Sequence, residues 1–263
     1  MVKFNPKILP LCPHGSQSDS CFTPAEIAAL KKLFDGPVNP RTGETIFTGI
    51  PLGGTYIEKT AVHLYPFNWV FGENYDYTKF DFDRDIAKMD SVLGPLVNAN
   101  NPDLSPLKNR GGKVLIYAGA FDQLCPYQDA LNYYERAIKT NGGLKKTQDF
   151  FRFFLIPGGG HCSGGPGLSD FGQQLLLNTQ LDSEHDLMTA MIDWVENKIA
   201  PDKIIATTFN CCDSINKIKM QRPVYPYPEF PHYTGGDPNK PSSYKAKTHK
   251  RGMVAEPAEI YLK

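Results

Sequence analysis

The sequence has no excess of charge of either sign: 28 Lys and Arg stand against 28 Asp and Glu. Without a net field nothing draws nucleic acid or an anionic membrane to the chain, and both are set aside as partners. There is no apolar run of about 18 residues, the length a membrane-spanning helix needs. The N-terminus, Met1-Val2-Lys3-Phe4-Asn5-Pro6, lacks the apolar stretch of a signal peptide. No C-x-x-C pairs with a second one or with a His pair, which argues against zinc, and no metal is assigned. Internal repeats are also missing.

What is present is ordinary globular material. Hydrophobic residues make up 41% and charged residues 21% of 263. That length carries one sizeable core, or a core with a smaller insert. Six cysteines, Cys12, Cys21, Cys125, Cys162, Cys211 and Cys212, admit two readings: cytosolic thiols, or a secreted, disulfide-bearing protein whose leader lies outside this chain.

Local signals divide the chain. Thr23-Pro24-Ala25-Glu26 predicts a capped helix start; Ile27, Leu30 and Phe34 follow at helical spacing, and Gly36-Pro37 stops it. From Asn39 to Tyr77 the chain is rich in Gly, Pro, Thr and aromatics, which predicts loops and short strands, as in a lid or insert. A helix is expected from about Asp85 to Val97, with Gly94-Pro95 kinking or ending it. After Gly111-Gly112 the pattern changes. Lys113 to Gly119 is an apolar run bounded by glycine, as buried parallel strands are. A helix with Tyr127, Ala130, Leu131, Tyr134 and Ile138 on one face follows. Phe150 to Ile156 makes a second strand. A helix over about Glu184 to Ile199 points Leu187, Met191, Trp194 and Val195 inward. Strand, helix, strand, helix is an α/β order. The Pro- and Tyr-rich tail after Met220 is expected to wrap the surface without adding a core.

Two loops carry the candidate chemistry. Each follows a predicted strand at its carboxyl end, the edge where open α/β sheets form active sites. The first is Gly119-Ala120-Phe121-Asp122-Gln123-Leu124-Cys125-Pro126, and the second runs from Pro157 through Gly160-His161-Cys162 to Gly167. A strand-end acid followed by a strand-end histidine matches the last two members of the order Ser, Asp, His. The acid would fix the imidazole tautomer and stabilise its charged form; the histidine would take and return the serine proton. Each residue also has a plainer use, Asp122 as a turn former and His161 as a structural loop residue.

The nucleophile has no counterpart. An elbow of the form G-x-S-x-G between a strand and a helix is not found. Ser163 lacks the preceding glycine and follows the base in the chain. Cys162 adjoins the base, a position from which a side chain rarely faces its neighbour.

Beyond single loops, many separate motifs occur in one order. They include Asn101-Pro102-Asp103-Leu104-Ser105, the Lys113 strand with Tyr117 to Asp122, and Tyr133-Tyr134-Glu135-Arg136. Arg152, Gly160-His161-Cys162, Asp193-Trp194-Val195-Glu196, Ala200-Pro201-Asp202, Ile205-Ala206-Thr207 and Arg222-Pro223 continue it. In this the chain resembles the tannase and feruloyl esterase family up to about Tyr244. The resemblance implies an α/β-hydrolase-type, mainly parallel sheet, present in part, with part of an inserted lid domain. Residues 1–109 would be the lid-like region and its connection, and 110–263 the C-terminal part of the hydrolase domain.

It further implies that Asp122 and His161 are the triad acid and base. Cys162 would bridge to a cysteine beside the nucleophilic serine, both upstream of Met1, and Cys12 would pair with Cys21. A structural calcium is expected, also upstream of Met1, with no cofactor in this chain itself. The parent activity would be hydrolysis of phenolic-acid esters by a secreted serine esterase, this chain being inactive alone and needing a missing N-terminal half. The rival expectation is a non-catalytic secreted domain that binds phenolics through Trp69, Phe71, Tyr75 and Tyr77. Some features depart from the family: Tyr225 and Lys245 or Ala246 replace a disulfide, Cys125, Cys211 and Cys212 are extra, and Ala120 replaces an aromatic.

Overall fold

A computed structural model describes residues 5–53, 65–162, 164–168, 170–173, 180–210, 217–252 and 256–262. Ser163, Cys211 and Cys212 lie outside the described residues. The chain divides into two compact units, Met1–Asn101 with Val254–Lys263, and Pro102–Met253.

The first unit begins with a cross-link. Cys12 and Cys21 form a disulfide over nine residues. Helix α1 (Pro24–Asp35) follows with the expected cap. Thr23 Oγ1 accepts from Glu26 N at 3.3 Å, and Glu26 Oε2 accepts from Thr23 N at 2.7 Å. Ile27, Leu30 and Phe34 are half-buried. The chain then leaves the helix through Gly36 at φ 84°, where a Cβ would stand 2.5 Å from the Phe47 carbonyl oxygen.

Helix α2 (Tyr65–Phe71) occupies a stretch expected to be loop or short strand. Aromatic packing supplies what helix propensity does not. Tyr65 and Trp69 stack at 6.4 Å across one turn, while Phe71 stacks on Tyr75 at 4.3 Å and Phe67 meets Phe80 edge-on at 5.2 Å. Helix α3 (Arg84–Val97) runs through Pro95 instead of ending before it. The proline removes one backbone donor only in the last turn, and Asn98 N still reaches the Gly94 carbonyl at 3.1 Å.

The second unit opens with α4 (Ser105–Asn109) and strand β1 (Val114–Gly119). Helix α5 (Tyr127–Thr140) buries Leu131, Tyr134 and Ile138 as its apolar spacing requires. A short helix missed by the periodicity, α6 (Leu144–Gln148), precedes strand β2 (Phe151–Ile156). β1 and β2 pair in parallel, Val114 opposite Phe151 and Gly119 opposite Ile156. Helix α7 (Leu187–Glu196) is capped by Asp186, whose carboxylate accepts from Thr189 N at 2.6 Å. It buries Ala190 and Trp194; Val195, expected to face inward, is exposed.

Strands β3 (Ile204–Phe209) and β4 (Ile218–Val224) pair antiparallel, as do β5 (Glu229–Tyr233) and β6 (Tyr244–Thr248). The tail therefore joins the core, against expectation. β2 has an edge that β1 does not cover, and unpaired backbone groups there must find partners. Tyr227 N donates to the Phe153 carbonyl at 2.8 Å, and Phe154 bridges Pro226. Val224 and Tyr227 are buried as a result. The core joins Phe154, Ile156, Leu168, Phe171, Ala190, Ile204, Ala206 and Val224.

Polar ties lock elements of this unit together. Glu135 on α5 accepts from the Tyr227 hydroxyl at 2.8 Å and from Arg251 Nη2 at 2.8 Å. Arg152 on β2 donates to Asp202 at 2.6 Å and to the Pro201 carbonyl at 2.7 Å, its guanidinium lying over the Trp194 ring. Among the described residues no helix is long and apolar enough to cross a membrane.

Candidate active site

The parallel register brings the ends of β1 and β2 level, so the loops that follow them start side by side. Glycine lets them touch. A Cβ on Gly119 would stand 2.4 Å from the Gly159 carbonyl oxygen, so no larger residue fits there. Phe121 N donates to that same oxygen at 2.9 Å, and Ala120 N to the Ile156 carbonyl at 3.0 Å. The return leg of the second loop is held too. Thr208 Oγ1 on β3 donates to the Gly167 carbonyl at 2.9 Å, and Asp170 pairs with Thr207.

Asp122 is buried at the tip of the first loop. Its Oδ1 accepts from Leu124 N and Cys125 N, both at 2.9 Å, so the carboxylate closes its own turn. The plainer use of Asp122 is thus real, and it coexists with a second one. The other oxygen, Oδ2, lies 3.1 Å from His161 Nδ1. Two backbone donors hold the carboxylate, and the carboxylate holds the ring. His161 is 38% exposed at its side chain against 8% for Asp122. With Nδ1 as the donor to Asp122, the ring keeps Nε2 as an acceptor, which is the form a general base needs. Among the described residues, the hydrogen bonds of the imidazole go to Asp122 alone.

A space of about 10 Å³ remains between Tyr117, Gly160, Leu168 and Phe171, room for one water at most. The His161 ring itself is partly open to solvent.

Cys162 follows the base at φ 61°, and its side chain is an exposed free thiol. Its carbonyl accepts from Gln173 Nε2 at 3.3 Å. Cys125 is a second exposed free thiol. Partial desolvation pushes it above the usual cysteine range, and the neighbouring Asp122 carboxylate pushes the same way. A carboxylate oxygen of Asp122, the Cys125 sulfur and a His161 ring nitrogen all lie within 4.8 Å of one another. The structure brings Asp122 and His161, the two expected site residues, together with Cys125, which stands outside the expected pair. The signal that could have found it is the spacing Asp-x-x-Cys: a carboxylate that caps its own turn accepts from the residue three positions on.

Comparison with known proteins gives the chain's family. The description tannase and feruloyl esterase matches residues 1–247. An uncharacterized esterase of Xanthomonas campestris pv. campestris is 32% identical over 89% of this chain and 47% of its own length. A probable feruloyl esterase B-2 of Aspergillus terreus is 29% identical over 76% of this chain and 40% of its own. The crystal structure of an esterase from Aspergillus oryzae superposes with a TM-score of 0.82 at 25% identity, covering 93% of this chain and 50% of that one. The chain thus spans about half the length of the relatives it matches, and its fold is of the α/β-hydrolase type. This chain belongs to the tannase and feruloyl esterase family.

Proposed function

We propose that this chain carries the acid and the base of a serine carboxylic ester hydrolase acting on phenolic-acid esters such as feruloyl or galloyl esters. The observation that supports this most is the Asp122–His161 pair, at 3.1 Å on adjoining strand-end loops, in a chain of this family. On this reading His161 Nε2 removes the proton from a serine hydroxyl as it attacks the ester carbonyl. Asp122 steadies the imidazolium, and the same nitrogen returns the proton to the leaving alcohol. Water then cleaves the acyl-enzyme by the same exchange.

The serine and its oxyanion donors come from outside this chain on this proposal, together with the cysteine that Cys162 bridges. Such a bridge would fix the base against the nucleophile more firmly than loop packing alone. The first unit is the lid-like part. The calcium implied by the resemblance would likewise be held by residues before Met1. Among the described residues, the group of close ligands is Asp122, Cys125 and His161. Its thiol and imidazole do not make the all-oxygen set that calcium takes. The Cys12–Cys21 disulfide fits an enzyme that works outside the cell.

The test is reconstitution. The chain alone should turn over methyl ferulate or methyl gallate no faster than its His161→Ala variant, because a base without a positioned hydroxyl activates water weakly. Adding the upstream half of a related enzyme, with its Cys-Ser elbow, should give turnover that disappears in His161→Ala and falls in Cys162→Ser. Clear His161-dependent turnover by the isolated chain would overturn the proposal that the nucleophile lies elsewhere.

A second reading has its own observation. An open hollow of about 540 Å³ in the first unit is lined by Phe71, Tyr75, Lys79 and Arg84 together with Glu73 and Asp76. Its cations are paired, Lys79 with Asp76 and Arg84 with Asp85, so its aromatic faces are what would hold a phenolic ring in a binding protein without turnover. Saturable binding of ferulate, lost in Tyr75→Ala, with no turnover in the reconstituted protein, would favour it.

A further inference from the structure

We propose that Asp122, Cys125 and His161 form a zinc site, and that its occupation disables the acid–base pair. Three donors of different chemistry converge here from two loops: a carboxylate oxygen, a thiol sulfur and an imidazole nitrogen, mutually within 4.8 Å. Ligands of a tetrahedral zinc ion, bonded at about 2.0 to 2.3 Å, stand roughly 3.3 to 3.8 Å apart. Closing the trio onto an ion takes shifts of roughly 1 Å by that measure, within reach of rotation at the exposed Cys125 side chain. The mixture of sulfur, nitrogen and oxygen suits a borderline-soft divalent cation such as zinc, and not calcium or magnesium.

The surroundings are also those of a metal ligand set. Asp122 Oδ1 is held by two backbone N–H groups at 2.9 Å, which orients the carboxylate without using Oδ2. Both Cys125 and His161 reach solvent, which provides the path of entry and leaves a fourth position for water. On binding, the Cys125 thiol gives its proton to solvent, the His161 ring proton leaves Nδ1 while solvent protonates Nε2, and the ion takes the freed Nδ1 lone pair. That ring can then no longer shuttle a serine proton, so zinc and ester turnover exclude one another.

The zinc site stands on geometry alone; its consequence for turnover rests on the proposed esterase reading, and two measurements keep them apart. The first is zinc binding by competition with a chromogenic chelator, in full-length chain that keeps the Cys12–Cys21 disulfide and carries Cys211→Ser and Cys212→Ser so that this pair of thiols does not compete. Cobalt is the spectroscopic probe: a thiolate-to-cobalt charge-transfer band should appear. Cys125→Ser should abolish that band and weaken zinc by more than about 100-fold, beyond the loss seen when a ligand's outer hydrogen-bond partner is removed. Cys162→Ser should retain both. Equal zinc affinity in Cys125→Ser, or loss of the band in Cys162→Ser but not Cys125→Ser, would overturn the site. The second is zinc inhibition of the reconstituted enzyme, expected to reverse with chelator and to be at least about tenfold weaker in Cys125→Ser, a drop of about 1.4 kcal/mol. Zinc bound through Cys125 with turnover unchanged would overturn the inhibitory role and leave the site standing.

Discussion

The two units are held together by different means. In the second, large apolar side chains are shut away from water: Tyr134, Phe151, Phe153 and Phe154 are fully buried, and Trp194 nearly so. In the first, among the described residues, α1 and α2 bury no residue completely. Ile46 and Cys12 are buried there, with Gly49, Pro51 and Pro257, beside the polar Asn39, Thr48 and Asp85. Its order comes from local devices: a disulfide, a capping box, stacked rings and carboxylates tied to arginines. A small core is ordinarily reinforced in this way, since it cannot offset the conformational entropy by burial alone. The lesson is that the candidate acid and base stand on the part of the chain with the stiffer support.

The two tryptophans allow the units to be followed separately, Trp69 in the first and Trp194 in the second. The largest expected effect is in the second unit. Phe154→Ala should cost about 3 to 5 kcal/mol, transfer and cavity together, seen as a lower denaturation midpoint of Trp194 emission in a Trp69→Phe background. A Trp194 midpoint that does not move would break the comparison. Next comes Cys12→Ser with Cys21→Ser. Opening a loop of nine residues should cost the first unit about 2 to 3 kcal/mol on the chain-entropy account, read from Trp69 while Trp194 holds its midpoint. Thr23→Ala removes one side of the capping box and should cost about 1 kcal/mol, again in the first unit only.

The smallest effect is in the order of opening with pH. Hydrogen bonds from Arg84 hold Asp85 well below the usual carboxylate range, and Arg41 does the same for Asp83. A depressed carboxylate contributes stability above its unfolded value of about 4, lost as pH falls through the lower folded value. Burial and the Glu135 hydrogen bond push Tyr227 up to about 12. A raised phenol contributes fully below its unfolded value of about 10 and is lost as pH climbs through the folded one. Acid should therefore loosen the first unit first, and alkali above about pH 10 the second. Hydrogen exchange at both extremes would show it, and Tyr227→Phe should remove the tyrosine part of the alkaline loss.

Much of the second unit was legible in the sequence because its signals are strong and local. Apolar runs between glycines gave β1 and β2, and 3.6-residue spacing gave α5 and α7. The tail was not legible. β4 reads Ile-Lys-Met-Gln-Arg-Pro-Val, polar and containing proline, and its burial depends on a partner edge that only the folded sheet provides. Helix α2 escaped for a similar reason, since its aromatics favour a helix only once Tyr75 and Phe80 pack on them. At the site, chain order and loop position revealed Asp122 and His161. For Cys125 the spacing Asp-x-x-Cys records its place beside Asp122, while its proximity to His161, 36 positions on, arises from a glycine-to-glycine approach between the two loops.

The central claim is that Asp122 sets His161 with a donor at Nδ1 and an open acceptor at Nε2. Long-range ¹⁵N–¹H NMR of the imidazole reports this directly, with His161 assigned among the six histidines by its loss in His161→Gln. The account predicts that the neutral ring is the Nδ1–H tautomer in the unaltered chain and that Asp122→Asn shifts the ring toward a mixture. A neutral His161 that carries its proton on Nε2, or one whose tautomer does not respond to Asp122→Asn, would contradict it.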